Sequence, residues 1–229
     1  MSFTVTATQG GSVAIGTALL LKVITGQAAS PAGQTAAATS TTPSLAITPN
    51  GTGSWVYGAN LGVTGTYTAN GSTTYQANST GGGLEYIRMR TTAATTAATP
   101  VTVGGTAGVN SISIALLEIL AGTGLAEDAS GPAAAFLSNA TAVTTAAFAP
   151  PAGSLLVAMV ATNGGGGATT AALTDSSGLG LTWAEAVRQN GAGNGYSGIW
   201  TALVLSAAAA IPAQPVVSPS LAAIQAASW

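Results

Sequence analysis

Six carboxylates and four cations make up all the charged chemistry of this 229-residue chain. The acids are Glu85, Glu118, Glu127, Asp128, Asp175 and Glu185, and the cations are Lys22, Arg88, Arg90 and Arg188. Histidine and cysteine are both absent. That excludes a Ser-His-Asp triad, a thiolate nucleophile, a disulfide and the usual zinc or iron sites. A serine–lysine pair would need Lys22, which sits in an apolar strand pattern whose end lets a lysine snorkel to solvent. Carboxylate pairs remain. A glycosidase sets two of them about 5–10 Å apart, but nothing in the spacing of the six acids selects a pair. Glu127 and Asp128 read as a solvated linker and Asp175 as a turn cap. Glu185 and Arg188 read as a surface ion pair worth under about 1 kcal/mol. Calcium at Asp175 would find only one carboxylate, too few for a dedicated site. The expectation is no catalytic residue, no metal and no cofactor, with a glycan-degrading enzyme built on two of the acids as the remotest alternative.

Two other groups of residues could recognise a ligand. The glycine clusters at 163–167 and 191–195 fit neither the P-loop nor the dinucleotide pattern, and no lysine follows them. They read as loops. The aromatics are a better lead. Tyr196 and Trp200 lie close in sequence to Arg188 and Asn190. An exposed aromatic ring stacks on a sugar face while arginine and asparagine bond its hydroxyls. Tyr196, Arg188, Asn190 and Trp200 are therefore the candidate glycan contacts. Core packing is the simpler role for Trp183, because tryptophan is usually well buried.

Composition narrows the partners. Charged residues are only 4% of the chain against an average near 25%, and the net charge is −2. Four cations make no basic patch, so neither nucleic acid nor a membrane surface is an expected partner. The surface must be Thr, Ser, Asn, Gln, Gly and Ala, and so weakly charged a surface favours association. The start of the chain has no basic n-region, so no cleaved signal peptide is expected. The most apolar stretch, residues 13–24, contains Lys22 and is too short to span a bilayer.

The elements that must position these residues are strands. Glycine (31) and proline (10) punctuate nearly every segment, and no segment sustains a helical period. Residues 1–8 alternate as a β arm, 13–24 read as a buried strand, and 27–42 as a loop with room for a short strand within it. Residues 45–48 and 55–59 flank the turn "PNGTG". Asn70-Gly71 marks a hairpin. Residues 85–90 alternate, with Ile87 and Met89 assigned inward and Tyr86, Arg88 and Arg90 outward. Strands at 101–103 and 112–119 precede a glycine-rich linker at 121–131. A second series follows: 143–148, then "PPAGSLLVAMVAT" (150–162), "LTDSSGLGLTW" (173–183) and "YSGIWTALVL" (196–205). Gly53-Ser54 and Gly153-Ser154 hold corresponding places in the two series. Pro215-Val216 echoes Pro100-Val101, and residues 221–229 echo "SISIALLEI". The order of elements thus recurs about 100 residues on. The expectation is an all-β chain of two tandem antiparallel β-sandwich, jelly-roll-like domains. Its parts are an N-terminal β arm (1–10), a first sandwich (11–122), a linker (123–132) and a second sandwich (133–229).

The segments "PPAGSLLVAMVAT", "LTDSSGLGLTW", "GYSGIW" and "SISIALLEI" resemble recurring segments of tandem β-sandwich modules in virion proteins of phages that infect actinobacteria. Such modules occur in minor tail proteins and capsid accessory proteins. The resemblance implies a non-enzymatic virion component, assembled in the host cytoplasm, and it carries over no catalytic residue. Other virion proteins and copies of the chain itself are the partners it implies, with a host-surface glycan as the alternative ligand. On that alternative the chain is a carbohydrate-binding module.

Overall fold

The computed structural model describes residues 2–10, 14–40, 42–63, 68–81, 83–106, 111–164, 170–191 and 195–205. Every regular element among them is a strand, and every strand pairing is antiparallel. In chain order the strands are β1 (Val5–Gly10), β2 (Ala14–Ser40), β3 (Ser44–Ile47), β4 (Trp55–Val63), β5 (Thr68–Ala69), β6 (Thr73–Gly81), β7 (Leu84–Thr91), β8 (Val101–Thr106) and β9 (Ser111–Glu127). They continue as β10 (Ala135–Ser138), β11 (Ala142–Thr144), β12 (Leu155–Gly164), β13 (Thr170–Asp175), β14 (Ala184–Asn190) and β15 (Gly195–Leu203). The expected all-β, antiparallel sandwich architecture is therefore present.

Nine strands form one sheet in the order β14-β15-β12-β2-β9-β4-β7-β6, with β10 also paired to β2. Two three-stranded sheets, β11-β1-β13 and β3-β8-β5, cover its ends. Apolar runs decide the layering. Leu19, Leu21, Val23, Leu156, Ala158 and Val160 pack with Phe3, Val5 and Ala7 beneath the sheet that contains β1. Ile114, Leu116, Val56 and Met89 pack with Ile47 and Val103 beneath the sheet that contains β8. The opposite faces meet each other. Leu155, Val157, Met159 and Ile199 of one end of the large sheet pack on Tyr57, Ala59, Leu117 and Ile119 of the other. The large sheet is folded back on itself, and two sandwich halves lie back to back across that middle layer.

The Gly–Ser turns repeat in detail. Gly53 and Gly153 have φ of 81° and 79°, a left-handed conformation that glycine adopts without strain. Gly53 N donates to Thr95 O and Thr95 N to Ser54 O, both at 2.8 Å. Gly153 N donates to Val204 O at 2.7 Å and Val204 N to Ser154 O at 2.9 Å. The strands that follow the turns, β4 and β12, are flanked alike: β7 then β6 on one, β15 then β14 on the other.

Other expectations fail, each for a physical reason. The N-terminal arm is no free arm: β1 is the central strand of its sheet, paired on both sides by β11 and β13. Residues 27–40 are the second half of β2 rather than a loop. Thr35 to Ala38 pair in unbroken register with Leu117 to Ile114 of β9, and Ala36 and Ala38 pack on the core beneath β8. Residues 123–127 of the expected linker belong to β9, with Thr25 opposite Ala126 and Ile24 opposite Glu127. The sandwich halves are consequently not consecutive stretches of chain, because β1 and residues 14–24 complete the half that β10–β15 build. Asn70-Gly71 turns the chain, but β5 and β6 lie in different sheets, so the turn is a corner and not a hairpin. Tyr86 and Arg88 are fully buried instead of facing out. Alternation implies one wet face only when nothing covers it, and here the other half of the sheet does. The echo assigned to residues 215–229 lies outside the described residues. The place beside β12 that corresponds to β9 beside β4 is held by β2.

Candidate functional site

β14 and β15 bring the four candidate glycan residues together. In register, Asn190 lies opposite Tyr196, Arg188 opposite Gly198 and Glu185 opposite Trp200. The geometry does not make a sugar platform. Tyr196 is fully buried, its ring laid along the strand over Gly198, which has no side chain to displace it. Its hydroxyl donates to Glu185 Oε1 at 2.6 Å and accepts from Trp200 Nε1 at 3.0 Å. Burial, reinforced by the Glu185 carboxylate, raises the phenol above its ordinary range. Trp200 packs half-buried against the core. A ring that is buried and bonded cannot stack on a ligand, so Tyr196 is withdrawn as a contact. Arg188 and Asn190 are exposed on the edge strand. Arg188 reaches Glu185 at 3.4 Å, the expected surface pair.

The acids do not converge. Asp175 is the expected turn cap: its Oδ1 accepts from Ser177 N at 3.0 Å, and Oδ2 accepts from Trp183 Nε1 at 3.2 Å. Asp128 closes the turn after β9, accepting from Ser130 N at 2.8 Å, and these Ser130 hydrogen bonds hold its carboxyl below the usual range. Glu85 accepts from Asn78 Nδ2 at 2.7 Å. Among the described residues no group of three acids stands together to hold a metal ion.

Two acids do more than the sequence indicated. Glu127 is no solvated linker residue. It accepts from Lys22 Nζ at 2.9 Å and from the Tyr57 hydroxyl at 3.1 Å, and it lies 3.0 Å from Arg90 Nε. The Arg90 guanidinium carbon stands 4.3 Å from the centre of the Trp55 ring. This cluster ties β2, β4, β7 and β9 where the two halves meet. It also occupies the Lys22 amine, so that no serine–lysine chemistry starts there. Burial, and secondarily Glu127, pushes the Tyr57 phenol well up. Glu118 is fully buried with no cation beside it. Its Oε2 accepts from Gln34 N at 3.0 Å and Asn50 N at 2.9 Å, and its Oε1 from Gly51 N at 2.9 Å. It pins the "PNGTG" turn to β2 and β9. A lone acid inside "ALLEIL" was the one signal that could have exposed it. Glu127 gave none, because its lysine partner is 105 positions away.

Arg88 is the counterpart cation. It is fully buried and donates to Tyr86 O at 2.6 Å and Ser79 Oγ at 3.1 Å, while its Nε has no partner. Burial lowers it to about 10, so it stays charged at neutral pH. An open cleft of about 370 Å³ lies at the end of the first half, floored by Thr91, Thr92, Thr95 and Thr96 and walled by Ser72 and Pro100. None of its lining residues is charged. Hydroxyls on a neutral floor can donate and accept hydrogen bonds but supply no acid, base or nucleophile activated by one. No family model, curated protein or solved structure matches this chain.

Proposed function

We propose that the chain is a non-enzymatic structural component of a bacteriophage virion, decorating the capsid or forming a minor part of the tail. It works by packing against copies of itself and other virion proteins after assembly in the host cytoplasm. One observation supports this reading above the others. Of the ten charged side chains only Arg188 is largely exposed, and it is paired with Glu185; Glu85, Arg88 and Glu118 are buried and the other six are partly buried. The other nine are committed to turns, buried networks and the seam between the halves. The outer surface consequently carries little charge, and among the described residues β6, which has no charged side chain, ends one edge of the large sheet and β14 the other. An open edge without charged guards favours edge pairing and lateral packing, whereas the opposite edge strand, β14, carries Glu185 and Arg188. The same commitment of every carboxylate to a structural partner argues for a role without acid–base chemistry. The virion assignment itself rests on the sequence resemblance.

The test has two arms. Sedimentation velocity of the purified chain is expected to show oligomers that persist from low to high salt, because few charges contribute to the contacts. Antiserum raised against the chain is expected to label intact particles in electron micrographs. A monomer at every concentration, with unlabelled particles, removes the proposal.

A further inference from the structure

The two sandwich halves are completed by strands in exchanged positions. β8 fills the middle of β3-β8-β5, and β1 fills the middle of β11-β1-β13. β9 lies beside β4 as β2 lies beside β12, with Val56 opposite Glu118 and Leu156 opposite Val23. The natural repeat therefore runs from β1 through β7 and again from β8 through β15. Each unit opens with two strands that complete the sandwich of the other. The crossing is made at one place. β2 passes from β12 to β9 at residues 24–27, where Gly26 (φ 71°) packs directly on the backbone of Gly124 (φ 137°) of β9. A side chain at Gly26 would collide with Gly124 O.

We propose that this exchange also opens between molecules, so that β1 and residues 14–24 of one copy complete the second sandwich half of another. The partner of that surface is a second copy of this chain. The receiving slot is built by β10, β11, β12 and β13 and is indifferent to which copy supplies the missing strands. What the donor brings is substantial: Phe3, Val5, Ala7, Leu19, Leu21 and Val23 all belong to the core of that half. The pairings of β1 with β11 and β13, and of residues 14–24 with β10 and β12, are the ones the exchanged form re-makes between copies. No disulfide holds the donor in place. Within one chain the donor competes at an effective concentration in the millimolar range. Exchange is therefore favoured where copies are concentrated, during refolding or on an assembling particle. The inference rests on strand topology alone and stands or falls separately from the virion reading.

Thr6 of β1 and Thr144 of β11 are opposite in register, with hydroxyls 2.8 Å apart. The chain has no cysteine, so Thr6→Cys and Thr144→Cys report on this pairing alone. The double variant is expected to close a disulfide within one folded chain, which shows that the site accepts the bond. The two single variants, unfolded, mixed and refolded together under oxidising conditions, are expected to give a disulfide-linked dimer. Its yield should rise at least about tenfold between micromolar and near-millimolar protein, and Thr6→Cys refolded alone should give much less. A mixture that yields no linked dimer at any concentration, while the double variant closes, overturns the proposal. So does a dimer equally abundant with Thr6→Cys alone.

Discussion

The two halves contain the same turn and hold it differently. In the first, the turn before β4 is pinned by Glu118, whose carboxylate collects three backbone N–H groups. In the second, the residue at the corresponding register position is Val23, and the turn at 151–153 is exposed. The first half also buries Glu85, and Arg88 on the face that the other half covers, whereas the second relies on hydroxyls. Thr162 is bonded to Thr17, Gln9 and Gly16 O, and Ser197 reaches Ser113 Oγ across the middle layer at 2.8 Å. Strand order and turn geometry are thus common to both halves, while the polar fittings are not. A β framework specified by apolar alternation and turn glycines leaves the buried polar groups free to differ, provided each is satisfied locally.

The largest break in that comparison is Glu118→Val, which gives the first half the residue of the second. It leaves three backbone donors without an acceptor and is expected to cost about 3–5 kcal/mol in denaturant unfolding. If the loss is below about 1 kcal/mol, the carboxylate is dispensable and the halves are equivalent after all.

Alkaline pH tests both halves at once. Tyr57 and Tyr86 in the first and Tyr196 in the second are all raised by burial, Tyr86 to about 12. Above pH 10 the unfolded chain loses phenol protons that the folded chain keeps, so the stability these groups contribute is present below pH 10 and declines above it. Arg88 works in the opposite sense. Burial holds its folded value at about 10, below the ordinary arginine range, so the folded chain sheds that proton first and regains stability as pH rises. Three groups against one leave a net decline of about 2–3 kcal/mol per pH unit between pH 10 and 12. Urea midpoints measured at pH 8, 10 and 11 read it directly.

Arg88→Met removes a buried cation that has no anion and leaves Nε unpaired. Stability is expected to hold or to rise by about 1–3 kcal/mol, the opposite sign to Glu118→Val. That contrast sharpens the lesson of the first half. An acceptor-only carboxylate is satisfied by turn amides, whereas a five-donor guanidinium is not. The smallest effect belongs to the second half: Thr162→Val is expected to cost about 1 kcal/mol, read from the same unfolding curves.

The strands and the two Gly–Ser turns were legible because each is a local pattern. Alternation, a β-branched run or a glycine at a fixed offset carries the information within about ten residues. The placement of Tyr86, Arg88 and residues 27–40 was not legible, because each depends on what covers the sheet, and the cover comes from the other half of the chain. Tyr196 failed for the same reason. Its position beside a glycine loop pointed outward, but Gly198 let its ring lie flat and Glu185 and Trp200 took its hydroxyl. The charge network at Glu127 was invisible because it joins four strands drawn from residues 22, 55–57, 90 and 127.

The central position of β1 bears on synthesis. Val5 N is bonded to Thr145 Oγ1, 140 positions downstream. On the ribosome, at about 5–20 residues per second, this first strand waits roughly 7–30 s for its neighbours to emerge. Through that interval Phe3, Val5 and Ala7 lack the cover that Val143, Phe148, Leu156 and Leu173 give them. The second half can close only after β13 has been made, so β1 waits longer than any other described strand for its partners.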